Sequence, residues 1–152
     1  MEKDTYFVAV KVFLLKDDKL FIFKDRFGDW DLPGGRIKKD EFNVSLDKVI
    51  ERKMREELGE DVKYTIGKPV VFMRHERVEQ VLAGLPADKR NDPTVRIFAI
   101  GYEGTLTGGE IHLSPLHTEM LWVDLKNFEP EKYFTGGWLK GVREYLEIRK
   151  KN

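Results

Sequence analysis

Cysteine is absent from this 152-residue chain. That excludes disulfides, thiolate zinc sites and a cysteine nucleophile, and it leaves the sequence silent on redox compartment. An excess of charge is absent too: 27 basic residues balance 27 acidic ones. The long-range attraction that drives binding to a nucleic-acid backbone is therefore missing, and no nucleic-acid partner is expected. Long hydrophobic runs are lacking. The apolar stretch 6–15 is interrupted by Lys11, follows Glu2 and Asp4, and leads to no small-residue cleavage site, so it does not read as a signal peptide. Nothing approaches the roughly 20 apolar residues of a membrane span. These absences point to a cytoplasmic protein without a membrane partner. Repeats, low-complexity tracts and linkers are missing as well, and the length suits one domain, 1–152, able to bury a core.

What is present reads as strands mixed with two helices. Residues 5–15 are rich in β-branched and aromatic types and predict a strand. Asp17-Asp18 predicts a turn, and 20–23 a second strand, together a hairpin. Residues 26–31 read as a polar loop holding Trp30, and Pro33-Gly34-Gly35 as a breaker. From 45 to 58, Leu46, Val49, Ile50, Met54 and Leu58 fall at helical spacing, and Gly59 is a natural stop. Asp40, Asn43 and Ser45 are all possible N-caps. Residues 62–73 read as one or two strands broken near Gly67 and Pro69, 76–93 as a polar segment with an exposed loop at 87–93, and 95–102 as a strand. A turn at 107–109, a short strand at 120–123 containing Trp122 and a final helix over 137–150 follow. The order gives an α+β or layered α/β/α domain.

Chemistry concentrates in residues 35–60. A glycine turn feeds the first helix, which ends in adjacent carboxylates, Glu56 and Glu57, about 100° apart around its axis. Gly34 and Gly35 let backbone approach that edge closely. Arg52 stands one turn before Glu56, placed to orient it. Breaking a phosphoanhydride needs neutralised phosphates and an oriented water, and magnesium, which prefers hard oxygen ligands, supplies both with one or two carboxylates. Taken alone, a Glu-Glu pair at a helix end is ordinary solvated surface. The glycine loop, the preceding Trp30-Asp31-Leu32-Pro33 and Glu41 distinguish this one.

These residues resemble the signature of the Nudix hydrolase family. That signature runs Gly, five residues, Glu, seven residues, then Arg-Glu-apolar-any-Glu-Glu-any-Gly-apolar. Gly35 and Glu41 match its first half; Arg52, Met54, Glu56, Glu57 and Gly59 match its second. The resemblance implies a Nudix-like α/β/α sandwich with a mixed central β-sheet. It also implies a magnesium-dependent hydrolase (manganese being the other possible ion) of a nucleoside diphosphate linked to another moiety. Gly34, Glu56 and Glu57 would hold the metal, Arg52 and Glu57 would serve in catalysis, and the substrate would be a nucleotide-type small molecule. Homodimers through a sheet edge or the hairpin are common in look-alikes. Three departures stand out. Ten residues separate Glu41 from Arg52, three more than the pattern, and a longer loop or nearly one extra helical turn must absorb them. Lys53 replaces the first Glu of the Arg-Glu segment, and Glu60 replaces the final apolar residue. Lys53 is within helical reach of both Glu56 and Glu57. It has three readings: a surface pair, a competitor of metal, or a point charge on a substrate phosphate.

A second cluster, His117-Thr118-Glu119 before Trp122, resembles the late segment from which some Nudix proteins draw a general base. Either His117 or Glu119 is a candidate. Trp122 reads as core. The GDP-mannose mannosyl hydrolase branch, which attacks carbon, uses a His here and lacks the same signature Glu, but it also loses the counterpart of Glu56. That branch, and a nucleotide-binding domain with impaired catalysis, are the alternatives. Arg26, Phe27, Trp30, Arg74 and His75 are possible contacts to a base, sugar or phosphate. Substrate choice is expected to lie in 76–93 and 126–137.

Overall fold

The structure is a computed structural model describing residues 1–79 and 92–151. In chain order the elements are β1 (Phe7–Lys16), β2 (Lys19–Lys24), β3 (Trp30–Asp31), β4 (Gly34–Arg36), α1 (Leu46–Leu58), β5 (Lys63–Val78), β6 (Thr94–Gly108), β7 (Met120–Asp124) and α2 (Gly136–Lys150). The seven strands among the described residues join one sheet in the order β3-β2-β1-β6-β5, with β4 also on β1 and β7 also on β2. β1 and β6 run parallel and every other pairing is antiparallel, so the sheet is mixed.

Side chains alternate across β1. Val10, Val12 and Leu14 pack with Val49, Ile50, Met54 and Leu58 of α1, whereas Ala9, Phe13 and Leu15 pack with Val142 and Tyr145 of α2. A strand buried on both faces reads as one continuous apolar run, which is why 5–15 shows no polar alternation. The sheet therefore lies between two helices, the α/β/α arrangement expected.

The Asp17-Asp18 turn is as predicted. Both residues adopt positive φ, 51° and 62°, the pairing that suits the right-handed twist of a two-residue hairpin and that aspartate tolerates. Three expectations change. Gly34-Gly35 is not only a breaker: Gly34–Arg36 forms β4 against Ala9, Val10 and Lys11. Gly34 takes φ 138°, and a Cβ there would run into the Val10 carbonyl. The break near Gly67 and Pro69 is an irregularity within one sixteen-residue strand, β5, whose pairing with β6 shifts register on both sides of Pro69. β5 continues to Val78, beyond the start of the segment read as polar loop, and its partner β6 runs to Gly108. Of the loop expected at 87–93, residues 87–91 lie outside the described residues. No helix among the described residues is long and apolar enough to cross a membrane.

Candidate functional site

Ser45 caps α1, its Oγ accepting from the Lys48 N–H, and the Gly59 N–H closes the helix on the Arg55 carbonyl. The three extra residues are taken up ahead of this cap. Lys39–Glu41 makes a single 3-10 turn, and 42–44 connect it to Ser45, with Phe42 exposed. Glu41 is thereby kept beside Arg52. Arg52 Nε donates to Glu41 Oε2 at 2.7 Å and Nη2 to Oε1 at 2.8 Å, a two-pronged geometry that lysine cannot supply. Arg52 Nη1 also donates to both oxygens of Glu56 at 3.2 Å, and the Lys38 N–H donates to Glu41 Oε1 at 2.8 Å.

The Arg52 hydrogen bonds, aided by the Lys38 N–H, hold the Glu41 carboxyl below the usual glutamate range. A depressed folded-state value means that the pair's stabilisation is complete above the unfolded value, about 4.3, and fades as pH falls through the folded one. Glu41→Gln is therefore expected to lower unfolding free energy by roughly 2 kcal/mol near neutrality, as for a hydrogen bond to a charged group. The gap between the wild-type and variant urea curves should begin to narrow as pH falls below about 4.3 and close only below the lowered folded value. A gap independent of pH would assign the loss to shape instead of charge.

Glu57 is buried, and its Oε1 accepts from the Gly34 N–H at 2.8 Å. Partial desolvation pushes the exposed Glu56 carboxyl up, but Arg52, Lys53 and Lys38 outweigh it and hold it below its ordinary value. Lys53 turns toward the pair: its Nζ lies 3.6 Å from Glu56 Oε2 and 4.0 Å from Glu57 Oε2. The donor set does not fit a resident divalent ion. One Glu57 oxygen is taken by Gly34, both Glu56 oxygens face Arg52, and an ammonium stands between the two carboxylates. Among the described residues no group of three or more His, Asp or Glu side chains is arranged to hold a metal.

His117 approaches from the late segment. Its Nε2 is 3.3 Å from Glu57 Oε2, its Nδ1 is 2.8 Å from Ser114 Oγ, and its ring stacks on Phe23 with centroids 4.0 Å apart. The backbone ties the two segments as well, Ser114 N–H donating to the Glu57 carbonyl at 3.1 Å. Glu119 is exposed and pairs with Lys24 at 3.5 Å. The structure thus brings Gly34, Arg52, Glu56, Glu57 and His117 together and puts Glu119 in a separate pair. Trp122 packs edge-on to Phe21 at 5.3 Å, against the α1 core, as expected.

Two adjoining depressions lie beside these residues. A groove of about 400 Å³ is lined by Gly34, Gly35, Lys38, Arg52, Lys53 and Glu56, among others. A cleft of about 530 Å³ is lined by Arg26, Phe27, Trp30, His75, Tyr133 and Trp138, among others. Asp31, Arg77, Glu79 and Trp138 belong to both. In the cleft, Trp30 meets Tyr133 edge-on at 5.4 Å and Trp138 stacks on His75 at 4.6 Å. His75 is held below its usual range by burial and then by Arg77, and its Nδ1 is buried without a hydrogen-bond partner among the described residues. Arg74 lies outside the cleft.

No family model matches the chain, and no curated protein is similar to it in sequence. Solved structures are similar. A MutT protein from Methanosarcina mazei Go1 superposes with TM-score 0.69 at 19% identity, covering 100% of both chains. A NUDIX hydrolase from Nitrosomonas europaea gives TM-score 0.69 at 14% identity over 99% of this chain and 76% of that one. An ADP-ribose pyrophosphatase from Streptococcus suis 89-1591 gives TM-score 0.58 at 20% identity over 95% and 92%. The chain has the Nudix fold.

On this Nudix fold the signature-like residues occupy β4, the loop after it and α1, and the cleft is completed by β5 and the start of α2. Sequence reading singled out none of Ser114, Tyr133 and Trp138, although Tyr133 falls in 126–137, a segment expected to govern substrate choice. The last two read only as parts of a loop and a helix stripe, and nothing local marks them as facing Trp30. Arg36 was not singled out, and Glu79 falls in 76–93, the other segment expected to govern substrate choice; Arg36 Nη1 donates to Glu79 Oε1 at 3.0 Å along the groove wall.

Proposed function

We propose that this chain hydrolyses a phosphoanhydride bond in a nucleoside diphosphate linked to another group. One observation carries the reading: a basic groove opens into an aromatic cleft through shared walls. The groove suits a diphosphate and the cleft a nucleoside. The ADP-ribose pyrophosphatase similar in fold bears a name of this reaction class. Magnesium, or manganese in its place, would come only as the counter-ion of the substrate's own phosphates, where it would neutralise charge.

The chain's own residues supply the remainder. Lys38, Lys53 and Arg77 neutralise phosphate oxygens, and Arg52 holds the edge of α1. A water oxygen attacks phosphorus, its proton passes to the Glu57–His117 pair, and the bridging P–O bond breaks with its electrons leaving on the departing phosphate. The pair stands behind the groove wall, joined to it by the Gly34 N–H on Glu57, with 11% of the Glu57 and 9% of the His117 side chain exposed.

The test is product release from a panel of nucleoside diphosphate derivatives with magnesium, run in ¹⁸O-water. Label in a phosphate product supports attack at phosphorus. Label in a released sugar would instead favour the mannosyl-hydrolase type of reaction at carbon. The Lys53 ammonium between the carboxylates favours a second reading, a nucleotide-binding domain without turnover; tight binding of one panel member with no product would establish it. In either case Trp30→Ala is expected to weaken binding of a nucleoside diphosphate by roughly 5- to 150-fold, the worth of one stacked base. Inorganic pyrophosphate should bind as before. Equal loss for both ligands in calorimetry would remove Trp30 from the nucleoside site.

A further inference from the structure

The groove holds a charge arrangement that a diphosphate-binding metal site does not need. Glu41 is satisfied by Arg52 and by the Lys38 N–H. Arg52 also holds both oxygens of Glu56 at 3.2 Å, and among the described residues Lys53 is the lysine or arginine that lies within 4.0 Å of both Glu56 and Glu57. Helical spacing puts it one turn before them on the same face. Its arm lies flat on β4: a Cβ on Gly35 would stand 2.6 Å from Lys53 Cε and 2.9 Å from Nζ. Gly35 therefore leaves the room in which this side chain rests. The ammonium is 3.6 and 4.0 Å from its two carboxylates, beyond the usual N–H···O range of about 2.7–3.2 Å. It neutralises both without being consumed by either, and its donors remain available to the groove that it lines.

We propose that the Lys53 ammonium is the resident cation of this groove. It stands in place of a protein-held divalent ion and donates directly to a phosphate oxygen of the ligand. The proposal rests on reading the groove as a diphosphate site. It makes pyrophosphate binding independent of metal in this chain, and it makes the Glu56–Glu57 pair a poor metal site for as long as Lys53 is present.

The experiment uses the full chain stripped with EDTA and two probes, inorganic pyrophosphate followed by calorimetry and manganese alone followed by electron paramagnetic resonance. Wild type is expected to bind pyrophosphate in EDTA, and Lys53→Arg to keep this within about threefold. Lys53→Gln should lose at least about tenfold, and Lys53→Glu should lose pyrophosphate binding while gaining manganese affinity by at least about tenfold over wild type. Thermal unfolding of each variant identifies any loss that comes from misfolding, and Lys53→Gln, close in size, carries the test if Lys53→Glu is unstable. Three results would each overturn the proposal: no pyrophosphate binding by wild type in EDTA, unchanged binding by a folded Lys53→Gln, or manganese binding by wild type as tight as by Lys53→Glu. The two readings fail separately. A wild type inactive on the whole substrate panel sinks the hydrolase and leaves these titrations standing. Turnover combined with pyrophosphate binding indifferent to Lys53 sinks only the built-in cation.

Discussion

Glu57→Gln is expected to lower kcat by about 10²–10⁴-fold, the usual worth of a positioned proton acceptor, with little change in thermal stability. The amide can still offer a carbonyl oxygen to the Gly34 N–H, the contact that fixes Oε1 at 2.8 Å, so the link from α1 to β4 survives. What is lost is the charged oxygen 3.3 Å from His117 Nε2. On the proposed mechanism the imidazole then has no carboxylate to share a proton with, and attack by water loses its base. Steady-state kinetics on whichever panel substrate turns over measures this directly. Activity within threefold of wild type would take Glu57 out of the chemistry and leave it as a brace between α1, β4 and the late segment.

Arg52→Ala is expected to destabilise the fold by roughly 3 kcal/mol, at the lower end for breaking a buried ion pair, because both partners keep a little exposure, 16% and 10% of their side chains. Removing the guanidinium strands Glu41, whose two oxygens it holds, and frees Glu56. Against a total stability of about 5–15 kcal/mol that is a large share. Arg52→Lys should recover only part of it, since one ammonium cannot match both oxygens of Glu41. Urea unfolding at neutral pH gives the comparison. A loss under 1 kcal/mol for the alanine variant would mean that the 3-10 turn carrying Glu41 relaxes to let water in.

Much of this site is written locally. Arg52, Lys53, Glu56 and Glu57 meet because helical spacing makes them meet, and α1 itself is marked by Ser45, its five apolar positions and Gly59. Glu41 is harder to read: three extra residues suggest displacement, and only the 3-10 turn and the exposed loop after it show that the pair is kept. β4 is illegible for a tertiary reason, since Gly34 and Gly35 are strand residues only because Val10 and Lys11 lie against them. The length of β5 is hidden by Gly67 and Pro69, which signal a break where the sheet accepts an irregularity. Choosing between His117 and Glu119 was likewise beyond the sequence. They are two residues apart, and the loop path, set by Ser114 hydrogen-bonding to α1, turns one toward Glu57 and the other toward Lys24.

The parallel pairing of β1 with β6 bears on how the chain assembles. It joins Phe7 to Ile97 and continues in step to Leu15 and Thr105, partners ninety positions apart throughout. The β1–β2 hairpin forms from neighbours, but this central seam must wait for a long loop to close, and non-local pairing slows folding. Helix α1 and the glycine strand lie inside that loop, while His117 lies beyond it. Refolding monitored by recovery of pyrophosphate binding should therefore lag behind recovery of helical signal, because the groove is finished only after the two ends of the loop have met.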